Sequence, residues 1–194
     1  NVMFSFINHG QYGQPIYLDN INLYFPQPSV NINPISAACV NTSLNPVASM
    51  SVVGSFTWNF PGGSPAISTQ SNPAVSYATP GIYTVQLIAV NGTASTSVSR
   101  TLSINPYPVI SVNSPSICSG TAANFSLSGA SAYTFNPGGF NSTLVSVSPA
   151  STTIYTITGS NGVCTSVSNA TAFVSPIPVI SANNSTICSG SSAG

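Results

Sequence analysis

Charge is what this sequence has least of. Arg100 is its one basic residue and Asp19 its one acidic residue in 194, and His9 is the sole histidine. Soluble domains usually give about a quarter of their residues to charged side chains, so hydroxyls, amides and backbone must wet this surface. Without a basic field nothing steers a phosphate backbone, which argues against nucleic acid as a partner and against recognition of anionic membranes through charge. No uninterrupted apolar run reaches membrane-spanning length, so no transmembrane segment is expected. No segment follows the helical period either.

The same scarcity bears on chemistry. His9 has no nucleophile or second carboxylate in a recognisable pattern beside it, and it reads as a surface side chain next to a turn. Asp19 could join a calcium site only with several further oxygen ligands, so Asp19 and Asn20 read as turn residues. Cys39, Cys118, Cys164 and Cys188 are too dispersed to form the compact Cys or His pairs of structural zinc. The glycine pairs Gly62-Gly63 and Gly138-Gly139 lack the lysine of a phosphate loop and read as turns. No catalytic residue, cofactor or metal is therefore expected in this segment.

What is present can build cores. Trp58, eight tyrosines and nine phenylalanines accompany many Val and Ile residues, an apolar supply that disordered polar chains do not have. The chain also repeats itself. Pro106-Tyr107-Pro108-Val109-Ile110-Ser111 recurs as Pro176-Ile177-Pro178-Val179-Ile180-Ser181, and Ile117-Cys118-Ser119-Gly120 recurs as Ile187-Cys188-Ser189-Gly190, both at an offset of 70. One shared offset marks a structural unit of that length. A looser echo links Phe56-Thr57-Trp58-Asn59-Phe60-Pro61-Gly62-Gly63 to Tyr133-Thr134-Phe135-Asn136-Pro137-Gly138-Gly139, and Ile82-Tyr83-Thr84-Val85 to Ile154-Tyr155-Thr156-Ile157.

Strand parity gives the core candidates. Phe56, Trp58 and Phe60 share one face of an extended segment, as do Tyr83, Val85, Leu87 and Ala89 in a second, and Tyr155 with Ile157 in a third. Trp58, Tyr77 and Tyr83 read as core residues with a tyrosine hydrogen bond rather than a sugar platform. Tyr24, Phe25, Tyr107 and Phe140 fall near junctions or loops and are the candidates for contacts between modules. Chain ends that read as interrupted strands and repeats lead us to expect extension at both ends.

Cys118 and Cys164 stand at opposite ends of the complete repeat, and a disulfide between them is expected, because small secreted sandwiches are commonly clipped in this way. Cys188 matches Cys118, so its partner is expected beyond Gly194. Cys39 has no matching late cysteine in its own unit and is expected to be a buried thiol or to pair upstream. The Asn-x-Ser/Thr sequons beginning at Asn41, Asn91, Asn124, Asn141, Asn169, Asn183 and Asn184 are read as a by-product of composition.

Residues Phe56 to Gly63 and Tyr77-Ala78-Thr79-Pro80-Gly81-Ile82-Tyr83-Thr84-Val85-Gln86-Leu87 together resemble a polycystic-kidney-disease (PKD) domain, an immunoglobulin-like β-sandwich. The stretch from Pro106 to Pro176 resembles the short immunoglobulin-like repeats of large secreted proteins of Bacteroidetes. Gly13-Gln14-Pro15-Ile16-Tyr17-Leu18-Asp19-Asn20-Ile21 is similar to the last strands of a jelly roll. These resemblances imply an all-β chain of tandem immunoglobulin-like sandwiches: 1–28 a terminal hairpin of an upstream jelly-roll-like domain, 29–105 PKD-like, 106–175 an immunoglobulin-like repeat, and 176–194 the start of the next. They also imply type IX secretion and an extracellular or cell-surface role as a modular spacer, or as an adhesive or self-assembling fibre subunit. Partners would be neighbouring copies, other modules or a surface glycan. The alternatives are an accessory region of a secreted protease or polysaccharide hydrolase, and a carbohydrate-binding module.

Overall fold

A computed structural model describes residues 26–182, 184, 186 and 188–190. The expected N-terminal hairpin, with His9, Asp19, Tyr24 and Phe25, lies outside the described residues. The first half forms β1 (Ser29–Ile32), β2 (Ala38–Cys39), β3 (Ala48–Ser51), β4 (Ser55–Asn59), β5 (Gly63–Ser64), β6 (Ile67–Ser68), β7 (Ser76–Tyr77), β8 (Gly81–Asn91) and β9 (Ala94–Asn105). The second forms β10 (Ser111–Val112), β11 (Ser116–Cys118), β12 (Ala123–Ser128), β13 (Ala132–Asn136), β14 (Leu144–Val147), β15 (Thr153–Ser160) and β16 (Thr165–Ser175).

Both halves follow one plan. A sheet ordered β2-β9-β8-β4-β6 faces the β1-β3 pair in the first, and a sheet ordered β11-β16-β15-β13 faces β10-β12-β14 in the second. In each, the last strand pairs antiparallel with its predecessor and parallel with a short strand near the start: β2 lies beside the end of β9, and β11 beside the end of β16. Alternation explains which face is buried. Along β9, Leu102 and Ile104 point inward while Ser95, Ser97, Ser99, Thr101 and Ser103 form an exposed hydroxyl row. Along β8, Val85, Leu87 and Ala89 are fully buried.

Two separate apolar clusters result. Trp58 and Phe60 stack with ring centroids 5.8 Å apart in the first, beside Tyr77, Val85, Leu87 and Leu102. Phe56 and Tyr83 are partly buried against the edge of that cluster. In the second, Phe125, Phe135 and Tyr155 form an aromatic trio with centroids 4.8 to 5.3 Å apart, packed with Ile157, Val145 and Leu127. Arg100, the one charged side chain among the described residues, donates from Nε to the carbonyl of Ile32 and so ties β9 to β1.

Two local devices shape the ends of the sheets. The Tyr83 hydroxyl donates to the carbonyl of Thr79 at 2.8 Å. Its single hydrogen is then used, so the Thr79 hydroxyl, 2.7 Å away, must donate to it. This pair of hydrogen bonds across the corner entering β8 fixes the turn at Pro80-Gly81. Tyr77, whose ring centroid lies 4.2 Å from that of Tyr83, is buried with no hydrogen-bond partner for its hydroxyl. Burial, then the neighbouring Tyr83, raises its pKa above the ordinary tyrosine value.

The second device is Gly129, at φ +96°, directly after β12. A Cβ here would stand 1.8 Å from the carbonyl oxygen of Val109. Only glycine lets the segment leading into β10 lie so close to the sandwich.

Three outcomes follow from these contacts. With Trp58, the only tryptophan, reporting denaturant unfolding of the first sandwich, Tyr83→Phe should lower stability by about 1 kcal/mol, whereas Tyr77→Phe should be neutral or slightly stabilising because no bond is lost. Tyr77 binds its proton more tightly when folded, so this sandwich should lose stability as pH rises above about 10, the unfolded value; Tyr77→Phe should remove that component. Gly129→Ala should cost the second sandwich about 2 kcal/mol or more in calorimetry, against about 1 kcal/mol for Gly162→Ala, whose Cβ would meet open space. Equal effects of the two glycine substitutions would contradict the close approach.

Candidate functional site

The feature that sets this molecule apart is the place where β9 hands over to the second sandwich. Pro106 and Pro108 have no amide hydrogen, so the β9 ladder cannot continue past Asn105. The chain crosses by residues 106–110 and pairs again at Ser111, opposite Ser128. A single peptide tether of this kind ordinarily leaves neighbouring domains free to reorient.

Here there is a second tether. Cys39 is disulfide-bonded to Cys164, 125 positions away, with Cα atoms 5.7 Å apart. Cys39 ends β2, opposite Asn105, and its backbone is held on both sides. The Val40 amide donates to Asn105 O at 3.0 Å and the Asn41 amide to Tyr77 O at 2.8 Å. The Thr42 amide donates to Cys39 O at 3.2 Å, and the Thr42 hydroxyl donates to the same oxygen at 2.6 Å. Asn41, at φ +60°, turns the chain between these bonds, a conformation that asparagine tolerates.

Cys164 closes the turn from β15 to β16. The Asn161 amide donates to its carbonyl at 3.0 Å, and Asn161 Oδ1 accepts from the Ser131 amide at 3.0 Å. The bridging sulfurs carry no hydrogen. They pack 3.7 Å from Val163 O and 3.6 Å from Asn105 O, so the turn of the second sandwich is seated on the exit of the first. Cys164 is 1% exposed and Cys39 is 9% exposed.

This corrects the expected Cys118–Cys164 bond and the expected upstream or free state of Cys39. The reason is register. β11 runs parallel to the end of β16 and sets Cys118 opposite Ser175, eleven positions beyond Cys164. At about 3.3 Å per residue that is roughly 35 Å of strand, whereas bonded cysteines need Cα atoms within about 7 Å. Cys118 and Cys188 are free and exposed. A signal for the true pairing was available: Cys39-Val40-Asn41-Thr42 and Cys118-Ser119-Gly120-Thr121 share a cysteine, a turn former two positions on and a threonine three positions on. Cys39 is thus the counterpart of Cys118, and Cys164 is left to serve the junction.

Of the other candidates among the described residues, only Tyr107 lies at this junction. Tyr107 lies on the crossing segment and is 43% exposed. Phe140 packs on Phe135 of its own sandwich, centroids 6.4 Å apart, at the end of β13 away from the Cys164 turn. Trp58, Val85 and Ile157 are fully buried and Tyr155 nearly so. Among the described residues no group of three or more His, Cys, Asp or Glu side chains could hold a metal, and no helix is long and apolar enough to cross a membrane. Arg100 is the only formal charge among the described residues, so they hold no ion pair of opposite charges.

Residues 32–104 match the family model of the PKD domain, so the first sandwich carries this domain. Among curated proteins none matches. An I-band fragment from titin is similar at 13% identity, over 79% of this chain and 67% of that one, with a TM-score of 0.46. The fibronectin(III)-like modules of Clostridium thermocellum CbhA are similar at 10% identity, over 81% and 100%, with a TM-score of 0.39. Immunoglobulin domains 1–5 of Sidekick-1 are similar at 15% identity, over 78% and 40%, with a TM-score of 0.33. These likenesses are loose, and the sandwich architecture rests on the strand pairing.

Replacing both bonded cysteines, Cys39→Ser with Cys164→Ser, should leave the sheets and the Trp58 emission essentially unchanged while freeing the junction. Residual dipolar couplings should then require separate alignment tensors for the two sandwiches, against one shared tensor in the oxidised protein. A shared tensor in both would mean that the bond does not hold the orientation.

Proposed function

We propose that this chain is a semi-rigid structural spacer of an extracellular or cell-surface protein. The observation that carries this reading is the Cys39–Cys164 bond, which joins two sandwiches instead of closing one. Such bonds persist in oxidising compartments, outside the cytosol. A bond within one sandwich would raise that sandwich's stability; a bond across a proline-bounded crossing also fixes the angle between neighbours.

The surface supports the same role. An exterior of hydroxyls and amides can lie close to other copies or to a matrix without desolvating charges, and it lacks the self-repulsion that keeps highly charged proteins apart. A tandem immunoglobulin-like array with this exterior serves as a spacer and offers itself to adhesion. The carbohydrate-binding reading draws little support from the aromatic residues, since Trp58, Tyr77, Tyr133 and Tyr155 are buried.

The bond also sets the path of a mechanical load. Tension applied to the two ends passes through the bond from Cys39 to Cys164, so the 125-position loop between them is bypassed with most strands of both sandwiches inside it, while β1 and β16 stay in the load path. In single-molecule stretching, the oxidised chain should withhold this loop, and reduction should release roughly 400 to 450 Å of additional contour length at about 3.3 to 3.6 Å per residue. Equal extension before and after reduction would count against a load-bearing spacer.

A further inference from the structure

Cys118 sits in the same seat as Cys39, at the far end of the second sandwich. Cys39 ends a short strand parallel to the last strand of its sandwich, opposite Asn105; Cys118 does the same, opposite Ser175. Each is followed by an amide that donates to the exit carbonyl at 3.0 Å, Val40 to Asn105 and Ser119 to Ser175. Each cysteine carbonyl accepts from the threonine three positions on, Thr42 and Thr121, through amide and hydroxyl alike. Each exit runs into Pro-x-Pro, at Pro106 and at Pro176.

Seat geometry alone would leave Cys118 a lone exposed thiol. The independent observation is that its counterpart is bonded in this same molecule, to the β15–β16 turn of the sandwich that follows. Beside Cys118 opens a cleft of about 310 Å³ lined by Ser119, Thr152, Val174, Pro176 and Ile177, on the side where the next unit begins.

We infer that Cys118 is a covalent docking site for the following module of the same chain, bonding to the cysteine of that module's turn between its last two strands, as Cys39 bonds to Cys164. The partner falls 70 positions beyond Cys164 by the repeat offset, past Gly194. By the repeat offset Cys188 is the sequence counterpart of Cys118 one unit on, and the same bonding would serve the junction after that. Each thiol loses its proton as the S–S bond forms, and the two electrons reduce a small-molecule disulfide such as oxidised glutathione, which leaves as two thiols. The inference rests on the likeness of the two seats and does not require the spacer reading. A bonded Cys118 in a chain that fails to bear load would separate the two.

The test extends the full chain. Appending a copy of residues 125–175 after Gly194 completes the third unit at the 70-residue offset, with a copy of Cys164 in its turn. After refolding in a glutathione buffer, nonreducing peptide mapping should join Cys118 to the appended cysteine and Cys39 to Cys164, and maleimide should label Cys188 alone. With serine in place of the appended cysteine, labels should rise from one to two, on Cys118 and Cys188. A folded third unit with both Cys118 and the appended cysteine labelled would overturn the inference, as would a bond from Cys118 to Cys188 or to a second copy. Material isolated from its natural source without reduction gives a check independent of the appended unit folding. Cys118 should resist maleimide until reduced, and a reactive Cys118 there would overturn the inference equally.

Discussion

Two β-sandwiches joined by one peptide segment have every rotation about that segment open to them. The bond between Cys39 and Cys164 removes most of those rotations, and the surrounding structure is arranged to present its two sulfurs. β2 is only two residues long, yet its parallel pairing with the end of β9 brings Cys39 to the exit of the first sandwich. The β15–β16 hairpin is long enough to bring its turn back to the same point. Pro106 and Pro108 stop the ladder between them, and Gly129 lets the incoming strand settle against the second core. In the simple polymer model, closing a loop of this length also removes roughly 5 kcal/mol of unfolded-state entropy, shared by the two sandwiches, most of whose strands lie within the loop.

The composition fits this arrangement. Ion pairs cannot fix the orientation of the sandwiches when Arg100 is the only charge among the described residues and is already bonded to the carbonyl of Ile32. Hydroxyl rows such as that along β9 hydrate well but give a neighbouring domain little to grip. A covalent bond at the junction supplies the orientation that such a surface does not. The buried aromatic groups do different work. They hold each sandwich together as a separate core, so reduction is expected to change the geometry of the junction and leave the folds standing.

Much of the strand plan was legible in residue order, because period-two alternation in β4, β8 and β15 directly reports which side chains meet a core. A tyrosine hydrogen bond was legible only in outline, with Tyr77 and Tyr83 both candidates; the structure gives it to Tyr83 and leaves the Tyr77 hydroxyl without a partner. The cysteine pairing was not legible. Conservation of spacing suggests that cysteines within one repeat belong together, but pairing depends on distance in space, and parallel pairing of β11 with β16 carries Cys118 to the opposite end of the sheet from Cys164. The short strands β2 and β11 are the hidden variable. Each has two or three residues, too few to show a period, and each decides where a cysteine ends up. The turn chemistry around them, a threonine three positions after each cysteine, was the more informative local pattern.

The central claim is that the bond crosses between sandwiches, and its most direct test is a nonreducing peptide map of the oxidised 194-residue chain. Because the chain has a single arginine and no lysine, digestion must use a protease that cuts at aromatic or aliphatic residues. The account predicts a disulfide-linked pair of peptides containing Cys39 and Cys164, with Cys118 and Cys188 recovered as alkylated thiols. A linked pair containing Cys118 and Cys164 would contradict it.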